Sequence, residues 1–452
     1  MKRHTRLTSV AIGGVALALT LAACAPGTGQ ADKPDSQSGE ISTDISGVGD
    51  VTLTVWDQEV RGGQNEQIEQ LNAAFEKKYP NVTIDRVSQA FDDLNTTLRL
   101  ALTDKDAPDV VQANNGRNTM GAFVAADQLR PLDDYADAYG WFDRYPESIL
   151  QYSTYSDDAS VFGEGDLYGL PQVGEVVGIF YSKSKLEGLG LEVPSDWAAF
   201  GEALSAAKAA GEIPVQLGNI EQWPALHVFG PMQADYVAPD DIINLGLGNP
   251  GASWETAENE KAAEALQAWA NDGYFNDGAN GTDYDAAWQA LAAGNGVFLI
   301  GGSWLAADLA DAMGDDLGFF LPQTADGSLA TTGGTGLPFT ITSAAENTDV
   351  AAAYIDFITS DDAMEIIAET GNLPVNRTAE LAPDSGVLAD VYTVFGDVST
   401  DGSLLPYLDY ATPTFGETLG QSLQNLIDGR LAPKDFVKAL EADYAEFLES
   451  NG

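Results

Sequence analysis

The sequence predicts an α/β protein of two or three domains. Three observations point there. β-Prone runs are followed again and again by apolar stripes at spacings of three and four, the pattern of a sheet with helices on its faces. The chain has 452 residues, more than one core ordinarily spans. It is 44% hydrophobic, ample for more than one core, and shows no repeat of fixed period.

The first 23 residues read as a targeting segment that stands outside the fold. Lys2, Arg3 and Arg6 precede a short apolar run, Val10 to Leu21, broken by Gly13 and Gly14. Such a run is too short to span a bilayer. Leu21-Ala22-Ala23-Cys24 resembles a bacterial lipobox, which implies cleavage before Cys24 and acylation of its sulfur; an ordinary secretory signal is the alternative. Cys24 is the only cysteine. The mature chain then has no thiol for disulfides, thiolate catalysis or cysteine zinc sites. Residues 25–50 are rich in Gly, Ser, Pro and Asp and are expected to form a tether with an r.m.s. reach of roughly 28 Å.

Val51 to Trp56 alternates at period two and is the first expected strand. Ile68, Leu71, Phe75 and Tyr79 make a helical stripe stopped by Pro80. Val82 and Ile84 mark a second strand, Phe91, Leu94, Leu98 and Leu102 a second helix, and Val110-Val111 a third strand. Tyr168 to Trp197 holds a β-prone run (Val176, Val177, Ile179, Phe180, Tyr181) with one acidic residue, Glu175, at its start. A segment of this form suits a crossing between lobes. Ser195 is placed to cap a helix buried through Trp197, Phe200 and Leu204 and ended by Gly211. Ile213 to Leu217 follows as a strand, and 235–256 reads as irregular. Leu266 with Trp269, then Tyr284, Trp288 and Leu291, mark helices. Val297 to Ile300, Leu317 to Leu321 and Leu337 to Ile341 mark strands. A helix-rich remainder carries stripes at Val350/Tyr354/Phe357, Phe415/Leu419/Leu423/Leu426 and Phe436/Leu440/Tyr444/Phe447.

Charge and composition exclude several functions. The formal net charge is −48, and removal of residues 1–23, with three basic and no acidic residues, makes it −51. That field repels nucleic acid and anionic membranes, so neither is an expected partner, and any membrane attachment is by lipid. The mature chain keeps one histidine, His227, which excludes multi-histidine metal sites and histidine triads. Neither a P-loop nor a GxGxxG turn is present, so no nucleotide cofactor is expected. Asp397–Gly402 has a superficial likeness to a calcium loop but lacks its alternating ligands and closing Glu, and reads as a turn. With 69 acidic residues, a carboxylate pair of the glycosidase kind stays open.

Aromatic and amide residues gather where strands end. Trp56-Asp57-Gln58 closes the first strand, and Asn114-Asn115-Gly116-Arg117 follows the third. Glu221-Gln222-Trp223 and Gly302-Ser303-Trp304 follow later strands, and Gly333-Gly334-Thr335 precedes another. In open α/β sheets ligands bind outside the strand carboxyl ends. Trp offers a flat apolar face, Asn, Gln, Asp and Glu offer directional hydrogen bonds, and that mixture suits a sugar. Core packing is the competing reading for every Trp, and it is the one adopted for Trp197 and Trp269. Asn115, Glu175 and Asp57 have a solvated loop as their alternative.

VTLTVW, FEKKYPNVTI, LTDKDAPDVVQANN, YGLPQ followed by GIFYSKSKLEGLGLEVPSDW, GNGVFLIGGSW and ETGNLPVNRTA occur in this order. Together they resemble the bacterial extracellular solute-binding proteins of carbohydrate ABC transporters, the maltose-binding-protein-like family, over nearly the whole chain from Val51. The resemblance implies a two-lobed periplasmic-binding-protein-like fold of type II with several hinge crossings. It places residues 51–172 plus 331–374 in one lobe and 173–330 plus 375–452 in the other. It implies ligand contacts at Trp56, Asp57, Gln58, Asn114, Asn115, Arg117 and Glu175. Further contacts are implied at Glu221, Gln222, Trp223, Trp304, Gly333, Gly334, Thr335 and an aromatic near Tyr410 or Phe415. Residues 235–256, with Trp254, have no clear counterpart and are a candidate cleft lining. The expectation is a monomeric, lipid-anchored receptor on the outer face of the cell membrane. It takes a carbohydrate, an oligosaccharide by its several aromatics, and passes it to permease subunits without catalysis, cofactor or metal. A secreted glycoside hydrolase or lyase, and a receptor for a non-sugar solute, are the alternatives.

Overall fold

The computed structural model describes residues 41–400 and 402–451. The targeting segment, Cys24 and the tether up to residue 40 lie outside these. The expected tether is corrected over its last ten residues. Ile45 is fully buried in the first core, the Asn81 side chain donates to Ile45 O and Val48 O at 3.1 Å each, and Ser42 N donates to Asp349 at 3.2 Å.

Two sheets organise the chain. The first combines β1 (Val51–Asp57), β2 (Val82–Ser88), β3 (Val110–Gln112) and, from far along the chain, β11 (Phe339–Ile341), in the order β11-β3-β1-β2. β1 runs parallel to β2 and β3, and β11 is antiparallel to β3. Between strands run α1 (Gly62–Lys78), with Lys77 and Lys78 in its last turn, and α2 (Phe91–Ala101). A small hairpin, β4 (Thr154–Tyr155) with β5 (Asp166–Leu167), follows.

The second sheet is built on β6 (Gly174–Ser182), whose nine residues are all buried. A strand covered on both faces reads as a continuous apolar run, and 176–181 is one. Its sheet has the order β12-β10-β6-β8-β7, formed with β7 (Val215–Gln216), β8 (Phe298–Gly302), β10 (Ala330–Thr335) and β12 (Ser403–Leu405), and β9 (Leu317–Phe320) also pairs with β6. Here Gly333-Gly334-Thr335, expected to precede a strand, is itself strand, in register with Val176, Glu175 and Gly174. The chain leaves the second sheet after Thr335 and joins the first at Phe339.

Three segments cross between the sheets side by side. Residues 170–174 lead out of the first sheet, 335–339 lead back, and 372–375 lead out again. Leu170 bridges Phe339 and Val173 bridges Pro374. Gly174 N donates to Leu373 O, Val375 N to Gln172 O and Gly336 N to Val173 O, at 2.9, 3.1 and 3.0 Å. Backbone hydrogen bonds thus tie the crossings into one narrow band.

Other local expectations shift. Residues 235–256 contain a helix, Pro239–Leu247, with Pro at its start, Asp240 and Asp241 in its first turn and Gly248 at φ 70° as its cap. Those are ordinary start and stop signals. Asp397–Thr400, read as a turn, closes the helix Val387–Thr400. The helix Trp197–Ala209 is capped by Asp196, which accepts from Ala199 N at 2.8 Å, one residue after Ser195. Trp197 and Trp269 do pack in the core, 6.2 Å apart. No helix among the described residues is long and apolar enough to cross a membrane.

Candidate functional site

A cavity with about 680 Å³ of atom-free space, its open mouth included, lies between the two sheets. Both lobes supply its walls. From the first come Gln58 after β1, Arg61 and Gln64 at the start of α1, Phe91 at the start of α2, and Asn114 after β3. Leu337 joins them from the second crossing. From the other side come Glu175 on β6, and Trp223, Leu226 and His227 where the helix Pro224–Gln233 begins. Trp304 after β8 and Tyr407, Asp409 and Tyr410 after β12 complete that wall.

Each wall is held from behind. Gln58 N donates to Gln112 Oε1 and Gln112 Nε2 donates to Glu59 Oε1, both at 2.8 Å, which fixes the turn after β1. On the opposite side Trp304 lies flat over Gly302, where a Cβ would sit 2.0 Å from the indole, so this position requires glycine. The Trp304 Nε1 donates to the Tyr284 hydroxyl at 2.8 Å. His227 is ringed by Trp223, Trp304 and Tyr407 at centroid distances of 5.5, 5.1 and 5.2 Å. Burial holds its pKa down to about 3, so the imidazole is neutral at ordinary pH. Its Nδ1 has no hydrogen-bond partner among the described residues.

Glu175 is the buried acid of the site, 7% exposed. The Tyr407 hydroxyl donates to its Oε2 at 3.1 Å. Burial raises its pKa to about 8, helped by the nearby Glu59 charge and opposed by the Tyr407 hydrogen bond. Glu59 is itself buried and raised to about 7 by desolvation. Asp409 is raised to about 6 for the same reason. Arg61 donates to Asp285 at 2.9 Å, on the helix Tyr284–Ala292 of the other lobe, and lies 5.6 Å from the Tyr284 ring centre.

Six of the expected contacts, Gln58, Asn114, Glu175, Trp223, Trp304 and Tyr410, come together on this cavity. The remaining ones do not line it. Both Asp57 oxygens are taken by Arg86, at 2.6 and 2.8 Å, so its carboxylate braces the turn. Trp56 packs half-buried against the large core. Asn115 is fully buried, donates to Tyr152 O at 2.8 Å and accepts from the Tyr410 hydroxyl at 3.4 Å. Arg117 donates to Ala159 O, Ser160 O and Leu247 O and lies over the Phe447 ring at 4.7 Å, a structural clamp. Glu221 accepts from Tyr284 N at 3.3 Å, and Gln222 donates to Gln424 at 3.2 Å. Gly333 is needed for close strand pairing, since a Cβ there would sit 2.4 Å from Glu175 O. Gly334 and Thr335 continue the same strand. Phe415 is fully buried and stacks on Trp254 at 5.3 Å, so Trp254 is core and the 235–256 segment does not line the cavity through it.

Arg61, Gln64, Phe91, Leu226, His227, Leu337, Tyr407 and Asp409 line the cavity without having been anticipated as contacts. Arg61 and Gln64 open the helix that follows β1, and a helix start after a strand is the place the crevice rule indicates. Phe91 resembles any residue of an apolar stripe. Tyr407 and Asp409 carried no signal beyond their nearness to Tyr410. Among the described residues no group of three or more His, Cys, Asp or Glu is placed to hold a metal ion.

Two lobes joined by three crossings, with a cavity walled by both, define a binding protein of the periplasmic type II fold. The family model for bacterial extracellular solute-binding proteins matches residues 62–365, about two thirds of the chain, and the chain belongs to that family. Among curated relatives, the multiple sugar-binding protein of Streptococcus mutans is 23% identical over 67% of this chain and 70% of its own. An uncharacterised ABC transporter extracellular-binding protein of Pyrococcus horikoshii is 25% identical over 51% of this chain, and the match spans about half of that relative, 50%. Among solved structures, a chitin oligosaccharide binding protein superposes with a TM-score of 0.75 at 22% identity, over 88% of this chain and 100% of the other. The maltose/maltodextrin-binding domain MalE from Bdellovibrio bacteriovorus, bound to maltotriose, gives 0.68 at 17% over 88% and 100%. At such identities the structural matches establish the fold.

Proposed function

We propose that this protein is a carbohydrate receptor that closes its lobes on the ligand and presents it to the permease subunits of an ABC transporter. The observation that carries the reading is the cavity wall. Trp223, Trp304, Tyr407 and Tyr410 supply apolar ring faces, and Gln58, Asn114, Glu175 and Asp409 supply directional polar groups from both lobes. A sugar has apolar C–H faces and a rim of hydroxyls, so it uses both kinds of surface. Contacts to both walls exist together only in the closed form, so a ligand shifts the population to that form. The several rings favour an oligosaccharide. The two lobes are taken as residues 51–172 with 336–374, and 173–335 with 375–451. Anchoring through an acylated Cys24, on the outer face of the membrane, and action as a monomer belong to the same reading. A thermal-shift screen of the mature chain against a glycan panel, followed by calorimetry, tests it. Ligand raises the melting temperature by mass action, and a panel without one binder overturns the reading.

One observation keeps a second reading open. The Glu59 charge adds to the rise in the Glu175 pKa, and a pair of carboxyl groups is the equipment of a glycoside hydrolase. Glu59 does not line the cavity and its Oε1 is occupied by Gln112, which favours binding over catalysis. Oligosaccharide turnover above a no-protein control would reverse that preference.

A further inference from the structure

Phe91 is a large apolar residue that no core absorbs. It opens α2, and Leu94, Leu98 and Leu102 of the same stripe are buried in the largest core. Phe91 itself is half-buried and joins none of the three hydrophobic clusters. Its ring reaches across the cleft to Trp223 of the other lobe, edge to face, with centroids 6.0 Å apart and planes at 70°. Trp223 is held by its own lobe, with Tyr284 at 4.5 Å and His227 at 5.5 Å. Both members of the Phe91–Trp223 pair line the cavity, so at this point the cavity wall is continuous from one lobe to the other. Arg61 makes a second bridge, to Asp285 at 2.9 Å and over the Tyr284 ring at 5.6 Å. The starts of α1 and α2 thus land on two neighbouring rings of the other lobe.

We propose that Phe91 sets the length of the ligand: with Trp223 it closes one end of the saccharide site, and the bound chain terminates against the ring pair. The inference rests on the carbohydrate-receptor reading and adds where the ligand ends. One more sugar unit at that end has to part the two rings, which breaks their edge-to-face contact and returns both to water. The pair carries no charge and reads no substituent, so it discriminates by a steric clash with the longer chain. Packing within its own lobe does not account for the ring, because Phe91 leaves the stripe that its helix buries. For the same reason its removal opens the end of the site without dismantling a core, and it frees the part of the Trp223 ring that Phe91 covers for the C–H face of a further unit.

Calorimetry with malto-, cello-, xylo- and chito-oligomers of increasing length, from the monosaccharide upward, tests this. In a series that binds, the wild type is expected to reach its tightest binding at one length, with no gain from the next unit. In Phe91→Ala that next unit is expected to tighten binding at least about fivefold. Phe91→Tyr, which keeps a ring in place, is expected to retain the wild-type limit. Thermal unfolding of the ligand-free variants checks that they are folded. The wild-type limit is read without any variant, and affinity that goes on rising with every added unit overturns the closed end. The same limit in Phe91→Ala as in the wild type, or a loss of affinity equal at every length, also overturns it and leaves the carbohydrate receptor standing. No oligomer or monosaccharide bound in any series overturns the receptor reading and this inference with it.

Discussion

Glu175 shows how a residue-scale environment sets both stability and recognition. Its folded pKa of about 8 lies above the ordinary value of 4.5, so between those pH values the folded state holds a proton that the unfolded chain has released. Its contribution to stability is complete below about 4.5 and is lost as pH rises through 8. Glu175→Gln removes that titration, so the melting temperature of the variant relative to wild type is expected to be higher at pH above 8 than near pH 5. A difference independent of pH would show that Glu175 does not titrate this way. His227 works in the other direction. Its pKa of about 3 lies below 6.5, so stability present above 6.5 is lost as pH falls toward 3. Trp304 tests the wall itself: Trp304→Ala is expected to weaken ligand binding by about 1 kcal/mol or more, as a buried aromatic anchor does. Unchanged affinity in calorimetry would make it a bystander. At this scale the strand-end tryptophans divide: Trp223 and Trp304 line the cavity, while Trp56 packs against the large core. Arg61, Tyr407 and Asp409 were not legible in the sequence, because their importance comes from what faces them across the cavity.

At the scale of elements, β6 and the helix Pro239–Leu247 make opposite cases. The continuous apolar run of β6 declares a strand buried on both faces, and the structure has it so. The helix, by contrast, hides in a Pro- and Gly-rich stretch because its apolar positions, Ile242 and Leu245, are few. Its Gly248 cap was present in the sequence, but capping residues also make turns. Phe415 and Trp254 show the same ambiguity for rings. Both looked open to a ligand role, and they stack on each other inside the core at 5.3 Å. Phe415→Ala is therefore expected to destabilise the fold by about 3–5 kcal/mol, read by chemical unfolding, while the folded fraction keeps its ligand affinity. Lost affinity with unchanged stability would return Phe415 to the binding site.

The whole molecule is governed by the three crossings and by what touches across the cleft. The crossings are hydrogen bonded to one another, so in the proposed closure bending there would move the lobes as bodies. Opposite the hinge, Arg61 of one lobe pairs with Asp285 of the other at 2.9 Å, with Asp285 about half exposed at 49%. An ion pair that open to water is worth at most about 1 kcal/mol. That would suffice to bias the proposed equilibrium between open and closed forms without locking it. Arg61→Gln is expected to enlarge the radius of gyration of the ligand-free protein in small-angle scattering. High salt is expected to do the same to the wild type. Identical scattering profiles would show that the pair does not hold the lobes together.

The sequence alone determined the α/β class, the order of most strands and helices, and which strand ends could face a ligand. These follow from local periodicity and from the backbone geometry of a strand, which act over a few residues. Only the tertiary structure decided which of those ends meet. Asp57 turned toward Arg86, Arg117 toward the carbonyls of Ala159, Ser160 and Leu247, and Phe415 into the core. Gln58, Asn114, Glu175, Trp223, Trp304 and Tyr410 came to one cavity. A binding wall is a relation among residues distant in the chain, so its members are chosen by packing across the cleft, which no local pattern records.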